Sequence, residues 1–155
     1  MLNNATKIGL IFVFSILFII GCSDTDGIME NSDDISPKIV SISPSNGETD
    51  VSVNTAFTVV FSHPMDTVSV EEHFNPYYQQ GGMMGGGMMN HHFGGEFQWS
   101  ADHDTLHYIP SGHMMGNSTH YVEFGEGMID HFGNPLIDLE GNIIEDSYVC
   151  YFITK

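Results

Sequence analysis

The chain has very few basic residues. Lysine and arginine together number 3, against 20 aspartate and glutamate residues, and the formal net charge is −17 at pH 7. Such a charge repels nucleic acid and anionic membrane surfaces, and it concentrates cations. Metal cations are therefore expected partners, and nucleic acid is not.

Motifs of catalysis are also missing. The sequence contains no H-E-x-x-H, G-x-S-x-G, phosphate-binding or dinucleotide-binding motif. The carboxylates are spread over turn-like segments, so no pair is singled out for acid–base chemistry. The sequence predicts a protein that is not an enzyme and that uses no organic cofactor.

Cysteine is scarce, with Cys22 and Cys150 alone in the chain. If Cys22 is modified, as its context below indicates, Cys150 has no partner for an intrachain disulfide. Cys150 alternates with Phe152 in "SYVCYFIT", which favours an inward-facing small apolar residue over a reactive or metal-binding thiol.

Long hydrophobic runs are absent except near the start. Residues 8–20 form an apolar run of 13 residues after Lys7, too short for a transmembrane helix and typical of a signal sequence. The run ends in Ile19-Ile20-Gly21-Cys22, which resembles the bacterial lipobox. This resemblance implies a diacylated Cys22 and a membrane anchor, and Ser23, in place of an aspartate, favours the outer membrane. The alternative is an ordinary cleaved signal with a chance cysteine.

The composition divides the chain into three segments. We predict a lipoprotein signal peptide over 1–21, an acidic flexible tether over 22–36 and one domain over 37–155. After Pro37, short runs of β-branched and aromatic residues alternate with Pro, Gly, Asn and Asp turn signals. About seven such runs without a long helix predict an all-β antiparallel sandwich.

Several motifs resemble a known family. Phe61-Ser62-His63-Pro64-Met65-Asp66 and Asp130-x-x-Gly133-Asn134-Pro135-Leu136 are similar to signatures of the SbsA-type bacterial Ig-like domain. Matching positions between and after them are Trp99-Ser100, Leu106-x-Tyr108-x-Pro110 and Phe152-x-Thr154. The resemblance covers 37–154 and implies a single Ig-like β-sandwich that is non-catalytic. It implies no fixed ligand site.

The chain departs from that family in a Gly/Met/His-rich loop insertion over 75–96. Its centre reads "QQGGMMGGGMMNHHFGG", in which glycines argue against a packed helix or a stable strand interior. Thioether sulfur selects Cu(I), and imidazole extends binding to Cu(II) or Zn(II). We therefore predict a copper site, for Cu+ or Cu2+, on a pliable loop with the ligands Met83, Met84, Met88, Met89, His91 and His92. The alternative is a low-complexity spacer whose methionines are incidental.

A second cluster of the same composition is His113-Met114-Met115. The family pattern has a leucine nearby, so one of the two methionines is expected in the core, and His113 is the more exposed candidate. We include all three as candidate metal ligands. The sequence leaves open whether this cluster and the loop share one site.

These features predict a lipid-anchored cell-envelope protein that binds soft metal ions through a Met/His-rich loop. The alternative function is a structural or adhesion module. In that case the loop is a flexible spacer or a contact surface for another envelope protein.

Overall fold

The computed structural model describes residues 35–81 and 88–155. The predicted signal peptide, Cys22, nearly all of the tether, and Met83 and Met84 lie outside these residues. Within them, no helix is long and apolar enough to cross a membrane.

The described residues form two β-sheets and one short helix. The elements are β1 (Ile39–Ser43), β2 (Glu48–Val51), β3 (Phe57–Phe61), α1 (Thr67–His73), β4 (Phe74–Gly81), β5 (Met88–His92), β6 (Gly95–Trp99), β7 (Thr105–Pro110), β8 (Thr119–Gly125) and β9 (Ser147–Thr154). One sheet has the order β1-β3-β7-β6, and the other has the order β2-β9-β8-β4-β5. All pairs are antiparallel except β2 with β9. The predicted all-β sandwich is confirmed.

The strand count exceeds the prediction of about seven. β2 is a short strand of four residues, and β5 and most of β4 lie within the predicted loop insertion. The glycines of the insertion lower its strand propensity, which is why the sequence predicted a loop. However, the residues of β5 itself, Met88 to His92, contain no glycine, and each pairs with a residue of β4.

Alternation of apolar and polar residues builds the core. Phe57, Val59 and Phe61 are buried on one face of β3, as expected for a strand with one face against the partner sheet. Phe57 contacts Phe152 of the opposite sheet, with ring centroids 5.5 Å apart. Cys150 is buried beside these rings, in agreement with its predicted inward position.

The helix α1 begins at the family-like motif. The Asp66 side chain accepts a hydrogen bond of 2.9 Å from the backbone N–H of Ser69, a standard N-cap. The helix has seven residues, Thr67–His73, in agreement with the predicted lack of a long helix. The C-cap residue Phe74 is also the first residue of β4, so the chain passes directly from the helix into the strand.

A close backbone approach fixes the end of the β5–β6 connection. A Cβ atom at Gly95 would lie 2.3 Å from Cζ of Tyr108 and 2.6 Å from the carbonyl oxygen of Ile109. The Tyr108 hydroxyl donates a hydrogen bond of 2.9 Å to the Phe93 carbonyl, which holds the same connection from the other side. Only glycine fits at position 95.

We predict that Gly95→Ala lowers the free energy of unfolding by about 1–3 kcal/mol or more, because the methyl group overlaps a backbone carbonyl and a buried ring. The neighbouring Gly94→Ala is the matched control, since its nearest atom would be Ser111 Oγ at 3.9 Å. Chemical denaturation of both variants measures the difference. Equal free energies of unfolding for Gly95→Ala and Gly94→Ala would contradict the claim that only glycine fits at position 95.

The second family-like motif forms a turn around the buried side chain of Asp130. The Asp130 carboxylate accepts hydrogen bonds from the backbone N–H groups of Phe132 and Asn134 at 2.8 Å, and from the Asn134 amide at 3.0 Å. Burial alone would raise the pKa of Asp130, but these hydrogen bonds outweigh it and hold the pKa below its ordinary value. Asp138 makes the same kind of turn with Asn142 at a more exposed position.

We predict that Asp130→Ala destabilises the protein by about 1–3 kcal/mol near neutral pH, since it removes the charged acceptor of several hydrogen bonds that hold the turn. The folded pKa is lowered, so this stabilisation is present above about pH 4 and is lost as the pH falls through the folded pKa. The stability gap between wild type and variant should therefore narrow on acidification. Asp138→Ala, the exposed control, should cost less. If the stability difference between wild type and Asp130→Ala widens as the pH falls, the lowered pKa of Asp130 is contradicted.

Candidate metal centre

The β4–β5 hairpin carries the described part of the predicted Met/His set. β5 is the edge strand of its sheet, paired on one side with β4. Met88 and Met89 are 70% and 60% exposed, and His91 and His92 are also exposed. Met83 and Met84 lie outside the described residues. The part of the set that the structure describes is thus presented to solvent on a paired strand and not on a loop.

The strand divides these side chains between the two faces of the sheet. His91 pairs with Tyr78, and His92 pairs with Tyr77. His91 stacks on the Tyr78 ring with centroids 5.1 Å apart, while His92 lies 5.7 Å from the Tyr77 ring on the other face. Alternation places Met89 on the face of His91, and Met88 on the face of His92. Within the strand, each face has one thioether and one imidazole.

His92 is oriented by a hydrogen-bonded chain. The Asn75 amide nitrogen donates to Glu123 Oε2 at 3.0 Å, so its Oδ1 accepts from Nδ1 of His92 at 2.7 Å. With the proton on Nδ1, the neutral ring carries its lone pair on Nε2. Partners of this kind commonly fix the tautomer of a metal-ligating histidine.

The second predicted cluster precedes β8, and its two methionines differ. Met114 is 6% exposed and belongs to the hydrophobic core, whereas Met115 is 42% exposed. His113 is exposed, and its Nδ1 donates to the Asn54 Oδ1, which leaves the lone pair of the neutral ring on Nε2. Met115 and His113 are thus the members presented outward, as the sequence anticipated for His113.

This cluster borders a cavity of about 240 Å³. The wall combines thioethers, imidazoles and aromatic rings. It consists of Tyr78, Phe93, Pro110, Gly112, His113, Met114, Met115 and His120. The cavity therefore has the soft and borderline donor types that suit copper.

His120 was not among the predicted ligands. It is 0% exposed, and its Nε2 donates a hydrogen bond of 2.9 Å to the Met115 carbonyl. Burial lowers the pKa of His120, partly opposed by that hydrogen bond, so the ring is neutral at pH 7. Its position two residues before Val122 in an alternating strand was the available signal, because Val122 and Phe124 both point inward.

The hairpin and the cavity are neighbours. Tyr78 pairs with His91 on β5 and with His120 on β8, and its ring centroid lies 5.8 Å from that of His120. Two strand spacings separate the two histidines, about 10 Å. The structure brings the two clusters together around Tyr78, but one ion does not contact both histidines in this arrangement.

Among the described residues, neither candidate site contains a cluster of conventional charged or imidazole ligands. In the ranges that the structure describes, no group of three or more His, Cys, Asp and Glu side chains is placed to hold a metal ion. At the hairpin and at the cavity, the soft and borderline donors that the described residues offer are methionine sulfur and imidazole.

We predict that Asn75→Ala shifts His92 away from the Nδ1–H tautomer, because the amide acceptor is lost. Ring nitrogen chemical shifts from ¹H–¹⁵N correlation spectra report the tautomer of each histidine. Asn54→Ala is the matched control, since it should change His113 and leave His92 unaltered. If His92 has the same tautomer populations in the wild type and in Asn75→Ala, the proposed orientation is contradicted.

Two facing sheets with this strand order define the class of protein as an Ig-like β-sandwich. The family of bacterial Ig-like domains matches residues 33–145, and the chain belongs to that family. The sequence finds no match among curated proteins.

Solved structures with the same fold come from several kinds of protein. PcoC, a copper resistance protein from Escherichia coli, is similar with a TM-score of 0.52 and 14% identity, over 76% of this chain and 98% of that chain. The N-terminal part of the S-layer protein SbsC matches with a TM-score of 0.48 and 15% identity, over 78% of this chain and 24% of that chain. The LD-transpeptidase LdtMt1 matches with a TM-score of 0.48 and 21% identity, over 76% of this chain and 39% of that chain. At these identities the likeness concerns the fold alone.

Proposed function

We propose that this protein is an exported, lipid-anchored Ig-like protein that binds soft metal ions, copper above all, through the β4–β5 hairpin. The ligands are the thioethers of Met83, Met84, Met88 and Met89, with the imidazoles of His91 and His92. Cys22 is the lipidated residue, and the anchor holds the domain at the outer membrane. We assign no catalytic step to the domain.

The observation that carries this proposal is the exposure of the hairpin methionines. Met65, Met114 and Met128 are buried in the core, which is the usual use of this residue. Met88 and Met89 pack into no core, and exposed thioethers are liable to oxidation. A ligand role accounts for sulfur at these positions, whereas a plain spacer needs only polar residues and glycine.

Charge and ligand chemistry support the same conclusion. A net charge of −17 raises the local concentration of cations. A thioether has no proton to lose, so methionine ligands remain competent in acid, while histidine ligands must be neutral. The hairpin should therefore hold Cu(I) mainly by sulfur, and the histidines should add affinity for Cu(II) or Zn(II) at neutral pH.

A structural neighbour adds a precedent. PcoC is described as a methionine-rich copper resistance protein and has an Ig-like sandwich of similar extent, with 100% of its chain covered in a second structure. That description concerns PcoC. For this chain, it supports the chemical compatibility of such a sandwich with methionine-based copper binding.

We predict that the purified chain binds Cu(I) in competition with a chromogenic chelator under anaerobic, reducing conditions. Replacing Met83, Met84, Met88 and Met89 by leucine should remove this hairpin binding, because leucine preserves size and removes the sulfur. Met29→Leu is the matched control, since it removes a thioether from the predicted tether, and it should leave binding unchanged.

The outcome also separates the two functions. If the quadruple variant binds Cu(I) as tightly and in the same amount as wild type, the hairpin is not a copper site. The hairpin would then be a spacer or a contact surface of a structural or adhesion module.

A further inference from the structure

The cavity beside the hairpin contains a buried histidine with an unused nitrogen. His120 Nε2 donates to the Met115 carbonyl, and a carbonyl oxygen only accepts, so the proton lies on Nε2 and the lone pair on Nδ1. Among residues 35–81 and 88–155, Nδ1 has no hydrogen-bond partner. A buried acceptor of this kind normally has a partner.

The surroundings of His120 limit what that partner can be. The ring stacks on Phe152 with centroids 5.4 Å apart and meets the edge of Phe93 at 5.9 Å. These rings offer no conventional hydrogen-bond donor to Nδ1. His120 is one of the residues that line the cavity, whose volume of about 240 Å³ is large enough for an ion.

The same cavity wall supplies two further soft or borderline donors. Met115 holds His120 through its backbone carbonyl, and its half-exposed side chain lines the cavity. His113 also lines the cavity, and Asn54 directs its Nδ1 proton so that the lone pair lies on Nε2. Two imidazole lone pairs and one thioether are thus available within one segment of eight residues and its cavity.

We propose that this cavity is a second metal site, separate from the hairpin, which binds one monovalent soft cation through His120 Nδ1, His113 Nε2 and Met115 Sδ. Asn54 and the Met115 carbonyl are positioning groups, since each fixes the tautomer of one imidazole. The site does not depend on the hairpin methionines. Tyr78, stacked on His91 and adjacent to His120, separates the two sites.

The proposal is tested on the full-length chain in detergent with the hairpin ligands removed by M83L, M84L, M88L, M89L, H91Q and H92Q. Ag(I) is the probe, because it shares the preference of Cu(I) for soft ligands and keeps its oxidation state. We expect one Ag(I) per chain, with changes in the ¹⁵N shifts of His120 Nδ1 and His113 Nε2 and in the Met115 methyl signal.

Substitutions at exposed positions then test the ligands without disturbing the core. Met115→Leu or His113→Gln, added to the hairpin-deficient chain, should abolish saturable Ag(I) binding. Asn54→Ala should weaken it by about 10–100-fold, as expected for a positioning group. His107→Gln, an exposed histidine of β7, is the matched control and should have no effect.

The experiment distinguishes a failure of the cavity site from a failure of the hairpin site. If the hairpin-deficient chain binds no Ag(I), or binds it with unmoved His113 and His120 nitrogens, the cavity site is overturned whatever the hairpin does. If Nδ1 is occupied by a water molecule instead of an ion, the His120 nitrogen signals stay unmoved when Ag(I) is added. If the native and hairpin-deficient chains both bind a single ion in the cavity, the hairpin function fails while the cavity site stands.

Discussion

The register of β4 against its two neighbours decides which side chains meet at the candidate metal centre. Tyr78 is paired with His91 on one side and with His120 on the other. A slip of one residue would turn every side chain of a strand to the opposite face of the sheet. His91 would then leave the Tyr78 face, and His92 would leave the amide of Asn75. Because β4 follows the capped helix α1 without a linker, and Gly95 is locked against Tyr108, both ends of the segment that contains the hairpin are anchored in the core.

The sandwich itself was predictable because its signals are local. In β3 the alternation of Phe57, Val59 and Phe61 indicates both that the segment is a strand and which of its faces is buried. The motif around Asp130 likewise indicates a turn. Glycine and asparagine are typical turn residues, and the aspartate carboxylate can accept hydrogen bonds from the backbone N–H groups of the turn. Such features depend on neighbours in sequence, and the structure agrees with them.

The candidate site was predictable only in part, because it depends on contacts distant in sequence. Glycines around Met88 indicated a loop, but pairing with β4 outweighs that local preference and makes Met88 to His92 a strand. His120 was not predicted, because the sequence alone does not show that a buried imidazole has one nitrogen without a hydrogen-bond partner among the described residues. That condition arises from Met115, whose carbonyl occupies Nε2. Residue types in the sequence indicated the chemistry, while the fold determined which of them share a cavity.

Methionine occupies two distinct environments in the described part of this molecule, and solvent exposure separates them. Met65, Met114 and Met128 fill the core, whereas Met88, Met89 and Met115 are presented outward near imidazoles. In the described ranges no group of three or more His, Cys, Asp and Glu side chains is placed to hold an ion, and our proposal assigns copper binding to methionine sulfur. X-ray absorption spectroscopy of the Cu(I)-loaded chain tests this most directly. The account predicts sulfur scatterers in the first coordination shell of copper, and a shell of nitrogen and oxygen alone would contradict it.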